Sequence, residues 1–232
     1  MKARHGPTCL DYKYLLLRQL LSYILSTHNH LVTFTQSSSV SLPAVNMSKT
    51  ALLIMDVQAG VLSQVSLPPT YLPLMASTIA TARASSVKII YVTISFRPGY
   101  PDISPSNVVF SAAAKNNVFI AGSLHTEIHP SIAPTGDDII VVKKRVSAFT
   151  GSDLELVLRS LGVQTLVLAG MSTSGVVLST LCEAADKDFG LVVLKDLCVD
   201  RDEEVHRVLV DSIFAKRGKV VGAEEWVGTL KA

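Results

Sequence analysis

The chain has 232 residues, of which 48% are hydrophobic and 17% are charged. These values suit one globular domain with a buried core, and they exclude a chain that is disordered throughout. The formal net charge of +2 gives no case for a nucleic-acid surface, so we expect no nucleic-acid partner. Residues 1–46 carry a local balance of +3, which leaves −1 for the remainder. A near-neutral body favours a small-molecule partner.

The cysteines and the apolar runs restrict the cellular setting. Cys9, Cys182 and Cys198 show no paired spacing, which argues against a disulfide framework and for a reducing compartment. No apolar run reaches the roughly 20 residues that cross a bilayer. We therefore expect a cytoplasmic protein without a membrane partner.

Residues 1–46 form an N-terminal extension that differs in composition from the rest. A basic, leucine-rich stretch is followed by a Ser/Thr-rich one, a composition typical of mitochondrial presequences. The alternative is an unstructured tail added by an upstream start codon. Met47 stands directly before the first predicted strand and favours that alternative. Residues 47–232 form the predicted domain under either interpretation.

From residue 50 onward, short apolar runs alternate with segments of helical periodicity. The runs predict β-strands that are covered on both faces. They are Ala51–Asp56, Val87–Ile94, Asp138–Lys143, Thr165–Ala169, Leu191–Asp196 and Lys219–Val221.

Three segments between these strands carry helix start signals. Ser152 with Glu155, and Asp200 with Glu203, form capping-box patterns, and a third helix is predicted to begin near Thr173 or Ser174. The residues expected to face the sheet are Leu154, Val157, Leu158 and Leu161; Val205, Val208, Leu209 and Ser212; and Val177, Thr180, Leu181, Ala184 and Ala185. The alternation predicts a Rossmann-like three-layer α/β/α sandwich around a central parallel six-stranded sheet. Its ligand crevice should lie at the carboxyl ends of the strands.

Polar residues stand at three of those strand ends. Asp56 ends the first strand, Lys143 ends the third, and a glycine-containing turn from Gly170 to Gly175 follows the fourth. An aspartate there is often only a turn residue, and a lysine is usually solvated. If the two converge, burial raises the pKa of the acid while the lysine lowers it, which is how a general acid or base is tuned.

Three segments resemble a known family. ALLIMDVQAG, VVKKRVSAFTGSDLELVLRSLGV and LVLAGMSTSGVVLSTLCEAADKDFGLVVLKD are similar, in order and spacing, to the signature regions of isochorismatase-like hydrolases. That superfamily includes isochorismatases, nicotinamidases and N-carbamoyl amidohydrolases. The resemblance extends from about residue 50 to about residue 226, and it implies a small-molecule hydrolase without a cofactor.

The resemblance also implies roles for individual residues. Asp56 matches the acid/base of the family, and Lys143, four residues before Ser147, matches its lysine. Gln58 matches a polar position near the substrate. The peptide bond between Met171 and Ser172 matches a non-proline cis bond. The residues expected to bind substrate around the third motif are Ser172, Thr173, Gly175 and Val176.

One residue departs from the family pattern. Thiol members carry Gly-x-x-Thr-x-x-Cys, and here that pattern begins at Gly170 and ends at Val176. A valine cannot form a covalent thioester intermediate, so thiol-dependent amide hydrolysis is not expected. Cys182 lies on another face of the same predicted helix and suits packing. Cys198 is placed in the loop after the fifth strand, near the crevice.

The histidines and one further loop are the remaining candidates for ligand binding. No Asp-x-His motif occurs, and Pro130 directly follows the pair His125 and His129, so we expect no metal site. His206 is interpreted as a solvated or capped helix residue. Arg97 and Tyr100 lie in a Pro/Gly-rich loop after the second strand. Either Arg97 clamps a substrate carboxylate there or it is an ordinary surface arginine.

Two functions remain open from the sequence. The first is a small-molecule hydrolase that uses Asp56 and Lys143 for acid/base chemistry without a cysteine nucleophile. The second is a catalytically silent member of the fold, a binding or scaffold protein in which the pair persists as structure. In both cases we expect a homo-oligomer.

Overall fold

The computed structural model describes residues 49–230. The predictions for the N-terminal extension, including the targeting alternative, Cys9 and the start at Met47, lie outside these residues. Within the described part of the chain, no helix has the length and apolar character needed to span a membrane.

Six strands form one sheet in the order β3-β2-β1-β4-β5-β6, and every neighbouring pair is parallel. The strands are β1 Thr50–Met55, β2 Lys88–Ile94, β3 Ile139–Lys143, β4 Thr165–Met171, β5 Gly190–Val199 and β6 Lys219–Val221. The helices are α1 Ala59–Leu62, α2 Tyr71–Ala84, α3 Val108–Lys115, α4 Leu154–Ser160, α5 Leu178–Asp186, α6 Glu203–Val208 and α7 Ala223–Leu230. The predicted parallel α/β architecture is confirmed.

Helices cover the sheet on both sides. On one face, Leu154 and Leu158 of α4 and Leu181 of α5 belong to a single apolar core with the strands. On the other face, α2 and α7 supply a second core that includes Met75 and Trp226. Burial of these side chains drives the sandwich together, since each aliphatic side chain contributes about 1.5–3 kcal/mol. The result is the expected three-layer arrangement.

Strand β3 departs from the expectation that every strand is covered on both faces. Ile140 is 52% exposed and Val142 is 40% exposed, whereas Val141 between them is fully buried. These side chains are exposed because β3 is an edge strand of the sheet. The helices that cover the same face, α2 and α7, contact β2 and β5. Alternate side chains of β3 therefore point to an uncovered surface in the described structure.

Neither predicted capping box forms. Helix α4 follows Asp153, and the carboxylate of Glu155 turns to Lys187, whose Nζ lies 2.6 Å away. Helix α6 follows Asp202, whose Oδ1 accepts hydrogen bonds from the backbone N–H groups of Glu204 and Val205. Asp200 lies two residues before the capping position of α6. Its carboxylate instead accepts a hydrogen bond from the Ser174 N–H in the turn after β4.

The buried face of the α6 segment was predicted correctly only at Leu209, which packs against the core. Val205 and Val208 are each 39% exposed, while Val210 and Phe214 are buried. A π-helical turn over Leu209–Ile213 continues α6, and its wider winding changes which residues face the sheet. By contrast, the helix after β4 begins where expected, with a π-helical turn over Thr173–Val177 leading into α5.

Candidate active site

The order of the strands defines where a ligand crevice can form. β1 and β4 lie side by side at the centre of the sheet, and the chain continues outward from them in opposite directions. At such a switch point the connections after the two strands diverge and leave a crevice at the carboxyl edge. A cavity of about 490 Å³ opens there. Its polar lining residues are Asp56, Gln64, Asn116, Lys143, Ser172, Ser174, Asp200 and Arg201, and most of the rest are apolar.

Asp56 and Lys143 meet in this cavity, as the sequence predicts. Asp56 directly follows β1 and keeps the ladder to β2 through its N–H, which donates to the Val92 carbonyl at 2.8 Å. Lys143 ends β3, two strands from β1, a separation of about 10 Å. Its long side chain crosses the end of β2, and its Nζ lies 2.9 Å from Asp56 Oδ2.

Burial controls the electrostatics of this pair. The side chains of Lys143 and Asp56 are 2% and 10% exposed. Lys143 Nζ also donates to the Arg145 carbonyl at 3.1 Å. Asp56 Oδ1 has no hydrogen-bond partner among the described residues. Burial raises the pKa of Asp56 above its usual value, and the lowering by Lys143 does not offset it. Asp56 therefore keeps its proton to a higher pH than a solvated aspartate does.

Gly170 allows the turn after β4 to approach β1. Its φ is +143°, and a Cβ there would overlap the Met55 carbonyl oxygen and lie 2.9 Å from the carbonyl carbon. The next peptide bond, Met171–Ser172, is cis, as the family resemblance implies. Both of these residues line the cavity. At Gly175 the space is limited by a side chain instead, since a Cβ would lie 2.6 Å from Ser172 Oγ and the serine hydroxyl would have to turn away.

Val176, which the family resemblance aligns with the cysteine of thiol members, lies in the turn after β4. It is 2% exposed and lines the cavity together with Gly175. Thr173 does not line the cavity; it is fully buried, and its hydroxyl lies 2.8 Å from His206 Nδ1. The interpretation of His206 as a solvated or capped residue was wrong, because this half-buried side chain bonds to Thr173 and supports the turn.

Gln58 does not line the cavity, in contrast to its predicted role. Its side chain is fully buried and braces two neighbouring segments. Nε2 donates to the carbonyls of Ile94 at 3.1 Å and Thr126 at 2.9 Å, and Oε1 accepts from the Ile94 N–H at 2.8 Å. With its polar atoms engaged by backbone, Gln58 holds the site together instead of contacting a ligand.

Arg97 and Tyr100 also lie outside the lining. The Arg97 guanidinium pairs with Asp102 in its own loop, so it is an exposed arginine with a local partner. The Tyr100 hydroxyl donates to the Val118 carbonyl at 2.9 Å. The loop itself does not overhang the cavity; α3 and the residues after it form that wall, with Val109, Phe110, Ala112, Ala113, Asn116, Val118 and Phe119.

Asp200 and Arg201 line the cavity and were missed by sequence reasoning. β5 was predicted to end at Asp196, but it continues to Val199 past a register shift against β4. The Ser174 N–H donates to Asp200 Oδ2 at 2.7 Å, and Arg201 donates to Gln64 Oε1. Partial burial raises the pKa of Asp200, but N–H donors, first that of Ser174, hold it below its usual value. Asp56 was identified because it follows the end of a strand. Asp200 and Arg201 would have been identified in the same way if the end of β5 had been predicted at Val199.

Neither Cys182 nor Cys198 is among the residues that line this cavity. Cys198 lies within β5 instead of the predicted loop, pairs with Gly170 across the sheet and is 3% exposed. Burial raises the pKa of its thiol to about 12. Cys182 packs against the core. Among residues 49–230, no group of three or more His, Cys, Asp or Glu side chains could hold a metal ion.

Comparisons with known proteins agree with this fold. The isochorismatase domain model matches residues 50–225. The isochorismatase family protein YecD of Escherichia coli O157:H7 is 29% identical over 80% of this chain and 98% of its own. A maleamate amidohydrolase of Pseudomonas putida is 26% identical, covering 79% and 87%. The structure of a cysteine hydrolase from Pseudomonas syringae pv. phaseolicola shares the fold, with a TM-score of 0.73 at 21% identity over 84% of this chain and 99% of that one. The chain therefore belongs to the isochorismatase-like family of hydrolases.

Proposed function

We propose that this chain hydrolyses a small-molecule substrate by acid/base catalysis at Asp56, with electrostatic support from Lys143 and without a covalent thioester. The observation that carries the proposal is the Asp56 carboxyl group. It is buried, one oxygen binds Lys143 at 2.9 Å, and the other oxygen has no partner among the described residues. Burial raises the pKa of this carboxyl group, and a raised pKa is the direction that suits a general acid.

The proposed reaction assigns a separate task to each residue. Protonated Asp56 transfers its proton to the leaving group as the scissile bond polarises. Water adds to the carbon that becomes electron-poor, and the bond between that carbon and the leaving group breaks. The Lys143 ammonium then stabilises the carboxylate that remains, because opposite charges attract strongly away from bulk water. Val176 contributes an apolar wall and forms no bond to the substrate. The proton returns to Asp56 from the attacking water.

The lining of the cavity also indicates a class of substrate. Apolar side chains from α3 and from Val61, Val65 and Val146 suit a small hydrocarbon body. Arg201 is the cation near the rim, and a guanidinium pairs well with a carboxylate. We therefore propose a small carboxylate-bearing substrate. The curated relative named maleamate amidohydrolase is consistent with a small acid as the substrate class.

Turnover by the full-length protein tests this function. The substrate panel contains isochorismate, ureido acids and nicotinamide, with hydrolysis followed by chromatography. Asp56→Asn should lower kcat at least about 100-fold, the contribution of a positioned general acid. Asp186→Asn, at the exposed end of α5, is the matched control and should retain full activity. Two results together would contradict the proposed catalytic function: no turnover of any substrate, and no effect of Asp56→Asn on ligand-induced thermal shifts. They would favour a catalytically silent binding protein.

A further inference from the structure

The loop after β3 carries two parts of the proposed site. Arg145 provides the carbonyl that accepts a hydrogen bond from Lys143 Nζ at 3.1 Å. Val146 is a wall of the cavity. The loop has no regular secondary structure of its own, so contacts with neighbouring elements must fix it.

Helix α5 holds this loop through side-chain hydrogen bonds. The Ser147 hydroxyl lies 2.6 Å from Glu183 Oε2 and donates to it. The Thr150 hydroxyl donates to the same oxygen at 3.1 Å. The Ala148 N–H donates to Thr180 Oγ1 at 2.9 Å. Glu183 is thus the charged anchor of the loop, and hydrogen bonds to a carboxylate are the stronger kind.

Lys143 depends on that loop because its side chain is only 2% exposed. A buried cation needs acceptors in place of water, and the described structure gives it two, Asp56 Oδ2 and the Arg145 carbonyl. On one side, the Arg145 guanidinium fixes the loop by donating to the Asp102 carbonyl at 2.9 Å. On the C-terminal side of Arg145, the first loop residue held by a neighbouring helix is Ser147, which donates to Glu183.

We propose that Glu183 is a positioning residue for Lys143: by binding Ser147 it fixes the Arg145 carbonyl, which in turn holds the Lys143 ammonium against Asp56. The consequence for turnover rests on the proposed function, whereas the consequence for the charge pair does not. Helix α5 follows directly from the turn that carries Val176. One helix therefore sets both the wall at the nucleophile position and the geometry of the acid and its lysine.

Two effects of removing Glu183 have opposite signs, which makes the proposal testable. Loss of a negative charge by itself lowers the pKa of nearby acids, Asp56 included. Loss of the loop anchor weakens the hold of Lys143 on Asp56 and so raises the pKa of Asp56. The charged groups near Glu183 are Lys187, whose Nζ lies 3.9 Å away, and Glu155, which binds Lys187 at 2.6 Å. Glu155 is thus a control carboxylate with the same lysine partner and no hydrogen bond to the loop.

The experiment titrates the Asp56 carboxyl carbon by ¹³C NMR in the full-length chain. In Glu183→Ala the midpoint should rise by about half a pH unit or more. In Glu183→Gln it should stay at the wild-type value or fall slightly, because the amide oxygen still accepts from Ser147. Glu155→Ala should not raise it. Amide exchange at Ala148 should be faster in Glu183→Ala alone, which reports loosening of the loop.

The outcomes separate this proposal from the proposed function. An unchanged or lowered midpoint in Glu183→Ala, an equal rise in Glu155→Ala, or wild-type exchange at Ala148 overturns the positioning role. The NMR result does not require turnover, so it stands even if no substrate is found. If a substrate is found, kcat should fall at least about fivefold in Glu183→Ala and recover in Glu183→Gln, and failure to recover also overturns the proposal.

Discussion

Lys143 Nζ lies 2.9 Å from Asp56 Oδ2, although the two residues come from strands separated by β2. Each residue makes the burial of the other tolerable. A charge without its partner in such a place costs about 3–5 kcal/mol. Burial of Asp56 makes the stability of the protein depend on pH, and the contact with Lys143 limits that dependence.

Replacing Lys143 should increase that dependence. Burial raises the pKa of Asp56 from its ordinary 3.8, and Lys143 opposes the rise. Because the folded state holds this proton more tightly, the stability it provides is complete below pH 3.8 and is lost as pH rises through the folded-state pKa. Lys143→Met raises the folded-state pKa further. The free energy of unfolding of the variant should fall by about 1.4 kcal/mol for each additional pH unit of that rise.

Urea unfolding at pH 5, 6.5 and 8 measures this effect. Lys143→Met should lose more stability between pH 5 and pH 8 than the wild type does. The double variant Lys143→Met with Asp56→Asn removes the titrating group and should lose the additional dependence. Identical pH profiles for the wild type and Lys143→Met would show that the cation does not control Asp56.

Val176→Cys should create a reactive thiol at the cavity. A thiol in the first turn of a helix has a lowered pKa and reacts readily. Buried Cys198 is unreactive by comparison, since its pKa is about 12. Iodoacetamide labelling followed by peptide mass spectrometry should show modification of the introduced thiol before Cys182 or Cys198. If it reacts no faster than Cys182, the assignment of position 176 to the nucleophile is wrong.

Two arginines distinguish the observed site from the expected one. Arg201 lines the cavity, whereas Arg97 is paired with Asp102 outside it. For a carboxylate-bearing ligand, Arg201→Ala should weaken binding about 10- to 100-fold, the range for a charged hydrogen bond. Arg97→Ala should change it by less than about twofold. Isothermal titration calorimetry provides the comparison, and equal losses in both variants would argue against the role of Arg201.

Alanine substitutions at two glycines, Gly170 and Gly228, should change the stability in opposite directions. Gly170→Ala places a methyl group on top of the Met55 carbonyl oxygen, so β4 must move from β1 at a cost of about 3 kcal/mol or more. A Cβ at Gly228, which is exposed in α7, would have no heavy atom within 4 Å. Gly228→Ala should stabilise by about 0.5–1 kcal/mol. Urea unfolding of both variants checks the signs, and equal stabilities would contradict the close approach at Gly170.

The sequence was sufficient to predict the fold where a local pattern is compatible with only one tertiary arrangement. Long apolar runs that alternate with amphipathic segments pack stably as a parallel sheet between helices. That architecture forces residues at strand ends toward one edge, so Asp56, Lys143 and the turn at Gly170 could be placed together. Their spacing also allowed the family resemblance and the absence of a cysteine at Val176 to be recognised.

Other parts of the site required the tertiary structure. The register shift in β5, which brings Asp200 and Arg201 to the cavity, depends on how β5 pairs with β4. The buried hydrogen bonds of Gln58 and the local ion pair of Arg97 depend on partners distant in the chain or on loop geometry. Periodicity reports only which face of an element is apolar. The pattern along the chain is enough to predict the sheet and its acid–lysine pair. Packing between distant segments sets which of the other polar groups face the cavity and which already have hydrogen-bond partners.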